Sequence, residues 1–152
     1  MTKPFDLERA KALQMLGILS KEELLEMAKD AVTGGCVAPA VTQLSICTLN
    51  EIDEFNAQFE KMKGQCNKEV MTMLSALRFY AKEISALILS GVMSPREGSN
   101  MLWRAQINSR METFHELDGF IYVASEMDDR PEDEALFEEG ILKEAKRVID
   151  TY

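Results

Sequence analysis

The chain has 152 residues, 26 Asp+Glu against 17 Lys+Arg, and a formal net charge of −9. That length suits one domain able to bury roughly 70% of its unfolded surface, and the 46% hydrophobic content argues for a folded chain. The acidic balance, with a sequence pI near 4.7 and dispersed basic residues, disfavours nucleic-acid binding, and no run approaches the roughly 18 apolar residues of a membrane span. Leu, Ala, Met, Glu and Lys dominate, residues that lose little rotamer freedom in a helix. No alternating β-branched stretch reads as a strand. The expected class is therefore all-α: a single-domain irregular bundle of about six to seven helices.

A first helix is expected over 5–16, with Leu7, Ala10, Leu13 and Leu16 on one face and Gly17 as its stop. Ser20 and Glu23 form a capping-box pattern for a second helix reaching about Thr33, before Gly34-Gly35. Pro39 opens a short third helix, where its missing N–H costs nothing. Thr48 and Glu51 repeat the capping-box pattern and predict a helix over 49–64 with Ile52, Phe55, Phe59 and Met62 inward. The longest helix is predicted over 68–90, capped by Asn67 and about 34 Å long. Val70, Met73, Leu74, Leu77, Ala81, Ile84, Leu87 and Ile88 give it so wide an apolar stripe that it reads as the central post.

Ser94-Pro95-Arg96-Glu97-Gly98 combines a cap, a proline at the first helical position and a returning carboxylate, so a helix should run from there to about Arg110. Its Trp103 and Ile107 lie on one side and Met101, Leu102 and Ala105 on another, and one of the two must pack on the central helix. Over 114–127 the next predicted helix places His115, Asp118, Tyr122, Glu126 and Asp129 within a sector of about 80°, opposite Phe114, Leu117, Phe120, Ile121 and Ala124. Pro131 opens the last helix, over 132–150. Its acidic first turn and late Lys143, Lys146 and Arg147 both suit the helix dipole.

Charge is distributed unevenly. Residues 1–111 hold 13 acidic and 13 basic side chains, whereas residues 112–152 hold 13 acidic and 4 basic, which accounts for the whole net charge of −9. The stretch Glu126–Glu139 carries eight carboxylates against Arg130.

Catalytic and metal-binding patterns are few. His115 is the single histidine, which removes most nucleophile–base arrangements. Glu112 and His115 match one Glu-x-x-His, but a helical di-iron centre takes two. A calcium loop aligned on Asp128 would put Asp133 where glycine is needed. Neither a phosphate-binding glycine loop nor a Cys-x-x-Cys pair occurs, and Cys36, Cys47 and Cys66 read as reduced thiols. No cofactor or metal is expected, and the start of the chain lacks a signal-peptide pattern, so a cytoplasmic location is expected.

The segments Ser94-Pro95-Arg96-Glu97-Gly98, Trp103-Arg104, His115-Glu116-Leu117, Phe120-Ile121, Asp129-Arg130-Pro131 and Glu144-Ala145-Lys146-Arg147 together resemble a group of small, uncharacterised all-helical bacterial proteins. The resemblance spans about residues 37–150 and implies a bacterial origin and a shared fold; it carries no activity.

The expectation from the sequence is a non-enzymatic binding protein, most concretely an immunity protein or antitoxin that blocks the cationic cleft of a basic toxin domain. Its expected contact residues are His115, Asp118, Tyr122, Glu126, Asp128, Asp129, Glu132 and Glu134. The alternatives are a homodimer or adaptor that uses an apolar face (Trp103, Ile107 or the Met-rich helix), and a metal enzyme using Glu112 and His115.

Overall fold

A computed structural model describes residues 5–51, 56, 57, 59–61 and 71–152, and all the regular structure in them is helical. The chain divides into two compact units, residues 1–71 and 72–152.

In the first unit, α1 (Leu7–Met15) starts at Asp6, whose carboxylate accepts from the Arg9 N–H, and stops before Gly17, which adopts φ +71°. The left-handed backbone at Gly17 explains why glycine ends this helix. Ser20 caps α2 (Lys21–Thr33) by accepting from the Glu23 N–H at 3.1 Å. The Glu23 carboxylate takes the guanidinium of Arg9 at 2.7 Å, tying α2 to α1 rather than closing the expected reciprocal box. Pro39 opens α3 (Pro39–Ser45), which packs on α2. Leu7, Ala10, Leu24, Ala28, Val41, Leu44 and Phe59 bury one another in this unit's core.

The helix expected over 49–64 is seen in part among the described residues. Leu49 and Asn50 form a turn and Glu51 lies in no regular element, while residues 56, 57 and 59–61 are helical. Glu51 nevertheless accepts from the Thr48 backbone N–H at 2.9 Å and its hydroxyl at 2.8 Å. These bonds, the backbone one foremost, hold the Glu51 carboxyl below its ordinary value. Ile52, Phe55, Met62, Cys66, Asn67 and Val70 lie outside the described residues.

The second unit holds four helices: α4 (Met73–Leu89), α5 (Pro95–Ser109), α6 (Asp118–Asp129) and α7 (Glu134–Thr151). Each packs on its chain neighbour and α7 returns to pack on α4, which closes the ring. The predicted long helix thus begins at Met73, not at 68, with Thr72 as its cap accepting from the Ser75 N–H at 3.1 Å. It buries Ala76, Leu77, Tyr80, Ala81, Ile84 and Ile88 against α5 and α7.

Ser94 caps α5 as expected, accepting from Glu97 N–H at 3.1 Å. The face of α5 that packs inward is Leu102 and Ala105; Trp103 is half-buried and Ile107 is 62% exposed. Gly98 lets α5 approach α4, because a Cβ there would stand 2.4 Å from Ile88 Cδ1. On α7, Ile141, Ala145 and Val148 are buried, while Leu136 and Leu142 face outward despite their apolar character.

Candidate functional site

The acidic helix begins later than the hydrophobic period of its sequence implies. Residues 114 and 115 are irregular, 116 and 117 form a turn, and α6 starts only at Asp118. His115 therefore sits beside the helix and not on its wheel. Two long-range contacts fix this entry: the Glu116 carboxylate accepts from Arg78 Nε of α4 at 3.1–3.2 Å, and the Glu116 carbonyl accepts from Arg147 Nη2 of α7 at 2.8 Å. The Glu116 hydrogen bond also raises the Arg78 pKa above its ordinary value, by favouring the charged form. Arg147 in turn pairs with Glu144 at 3.0 Å, and the Glu144 side chain lies over Gly119 closely enough to leave no room for a Cβ. A carboxylate over the first turn of α6 also favours the positive end of its dipole.

Beyond that entry, α6 presents two distinct faces. Phe120, Ala124 and Met127 are buried, and Phe114 and Leu117 join them from the preceding turns. Outward, Asp118, Tyr122, Ser125 and Asp129 are all exposed. Their spacings of four, three and four place them on one line along the helix. Tyr122, 66% exposed, stands in the middle of this line. His115 Nδ1 lies 3.0 Å from Asp118 Oδ2, so the imidazole flanks the start of the stripe. Glu126 is half-buried at its edge.

The remaining expected residues form a second group at the α6–α7 junction. Asp128, which ion-pairs with Arg96 Nη2, is turned toward α5. Glu134 Oε1, from the first turn of α7, lies 3.9 Å from Arg96 Nη1. Arg130 pairs with Asp133, and its guanidinium lies over the Phe137 ring at 5.5 Å from the centroid. Glu132 is exposed in the 3-10 turn Pro131–Asp133. The eight expected contact residues are thus divided between the α6 stripe and this junction.

The residue that sequence reasoning missed is Arg96. It belongs to the first turn of α5, yet it partly neutralises the acidic run from 32 residues away. No local pattern signals such a pairing; it follows from packing α5 against α6. Arg130, the opposing charge visible in the sequence, is spent on Asp133.

Glu112 lies in a turn and His115 in an irregular stretch, so helical spacing does not align them as Glu-x-x-His ligands. Among the described residues no three His, Cys, Asp or Glu side chains converge as metal ligands. None of the described helices is long and apolar enough to cross a membrane. No family model matches the chain, and neither a curated protein nor a solved structure matches it.

Proposed function

We propose that this chain is a non-enzymatic binding protein that neutralises a basic partner, most concretely an immunity protein or antitoxin acting on a basic toxin domain. The observation that carries the reading is the concentration of the whole formal charge, −9, in residues 112–152. It is supported by the outward line of Asp118, Tyr122 and Asp129 on α6, continued by Glu132. A basic partner approaching that face is steered by long-range attraction. Tyr122 offers apolar contact area with a polar tip at small entropic cost. The α6 stripe is the contact surface, and the junction acids that Arg96 neutralises are its rim.

The test is to mix the protein with basic toxin domains, starting with the product of an adjacent reading frame, and to measure residual toxin activity. Stoichiometric loss of activity that weakens with added salt is expected. Full toxin activity at excess protein, across the candidates, overturns the reading.

Ile107, exposed beside the half-buried Trp103, favours a second reading: a homodimer or adaptor joined through α5. Light scattering over a concentration series distinguishes it, because a strict monomer contradicts self-association.

A further inference from the structure

A cleft of about 540 Å³ opens between Leu74 and Arg78 of α4 on one side and residues of the segment 111–116 on the other. That volume lies in the range of ligand sites, roughly 300–1,000 Å³. Its wall is fixed before anything binds. Met111 N–H donates to Ser109 Oγ at 3.3 Å, Gln106 Nε2 donates to the Phe114 carbonyl at 3.0 Å, and Arg78 and Arg147 hold Glu116 from α4 and α7. A preformed wall lowers the ordering cost of binding.

The lining has a formal charge of zero, because Glu116 offsets Arg78 and the His115 imidazole counts as neutral. Leu74, Met111 and the buried Phe114 give it an apolar part. The rim, by contrast, is acidic: Glu112, between Met111 and Thr113, and Asp118, 3.0 Å from His115, are both exposed. An occupant that matches lining and rim together is an uncharged apolar group with basic neighbours. An aromatic ring fits best. The Arg78 side chain is 44% exposed and already lies over the Tyr152 ring at 5.5 Å from the centroid, and a planar cation has a second face for another ring. The Met111 thioether adds a favourable contact with a ring edge.

Resting on the reading of a basic partner, we infer that this cleft seats an aromatic side chain of the partner, flanked by lysine or arginine residues that meet Glu112 and Asp118. The acidic stripe then attracts the partner and the cleft anchors it, as aromatic anchors do at the centre of protein interfaces.

Fluorescence anisotropy on the full chain tests this with two labelled peptides, pentalysine and the same peptide with tryptophan at its centre. The parent should bind the tryptophan peptide about fivefold or more tightly, the gain from burying part of an aromatic side chain. Thr113→Trp, at an exposed lining position, fills the cleft without changing charge. It should abolish that preference and leave pentalysine affinity unaltered. Met111→Ala removes the thioether and part of the apolar wall and should reduce the preference about twofold or more. It keeps the test open if circular dichroism shows Thr113→Trp unfolded. Equal affinity of the parent for both peptides, or a preference that survives both variants, overturns the aromatic seat and leaves the acidic face intact. Tryptophan-peptide binding that Thr113→Trp abolishes, without pentalysine binding, upholds the seat and counts against the stripe. Binding of neither peptide overturns both. A dimer of the parent in sedimentation that Thr113→Trp disperses would give the cleft to a second copy and overturn the basic occupant.

Discussion

Replacing Gly98 with alanine would place a methyl group where α5 meets α4. That Cβ would stand 2.4 Å from Ile88 Cδ1, 2.7 Å from Ile88 Cγ1 and 3.2 Å from Ile84 Cγ2, all closer than the favourable carbon separation of about 3.5–4.0 Å. Ile84 and Ile88 are 2% and 3% exposed, and branching at Cβ leaves each few alternative rotamers. Relief requires α5 to move out or Ile88 to leave its rotamer, an overpacking cost of about 1–3 kcal/mol. Against it stands the helical advantage of alanine over glycine, about 1 kcal/mol. The expected net loss is about 0–2 kcal/mol. Gly140 in α7 supplies the control, since its Cβ would meet Val123 Cγ2 at 3.7 Å, an ordinary contact. Gly140→Ala should therefore gain about 0.5–1 kcal/mol. Urea unfolding followed by circular dichroism, with the slope checked for constancy, reads both. A Gly98→Ala protein that gained as much stability as Gly140→Ala would refute the close approach of α4 and α5.

Other expectations follow from the same structure. Arg110 ends α5 at φ +56°, a left-handed backbone that glycine adopts without strain, so Arg110→Gly should raise the urea midpoint by the equivalent of about 1 kcal/mol. The Ser99 hydroxyl is buried in α5 without a hydrogen-bond partner among the described residues; Ser99→Ala should be neutral to stabilising by about 1 kcal/mol, and a clear loss in the same melts would reveal a bond to that hydroxyl. The Glu51 carboxyl is held below its ordinary value of 4.5 by the Thr48 bonds. A depressed folded value contributes stability above the unfolded value, and that contribution is lost as pH falls through the folded one. The stability gap between parent and Glu51→Gln should thus be widest at neutral pH and close below pH 4.5; a gap independent of pH would contradict this.

The starts of α2, α3 and α5 were legible because local side-chain chemistry determines them. Ser20 and Ser94 each accept from the backbone N–H three residues on, and Pro39 and Pro95 occupy first helical positions. Such bonds form within one turn, so a four-residue pattern contains all that is needed to expect them. The start of α6 was misplaced by four residues because its determinants are distant. Arg78 and Arg147 hold Glu116 from α4 and α7, and Glu144 covers Gly119. The outward set Asp118, Tyr122 and Asp129 survived that shift because its periodicity lies within the true helix. His115 did not; it keeps its neighbourhood only through Asp118. Arg96 shows the limit for charge: the sequence reveals how many carboxylates a segment carries, but which of them are already paired depends on tertiary packing.

Charge reversal on the α6 stripe tests the central claim most directly. Asp118, Asp129 and Glu132 are exposed and stand apart from the Arg96 pairings, so changing all three to lysine leaves the junction intact. Association with a basic toxin domain, followed by stopped-flow fluorescence from low to physiological salt, should slow by about tenfold or more in the triple variant and lose most of its salt dependence. An association rate and salt slope unchanged from the parent would contradict an acidic recognition face.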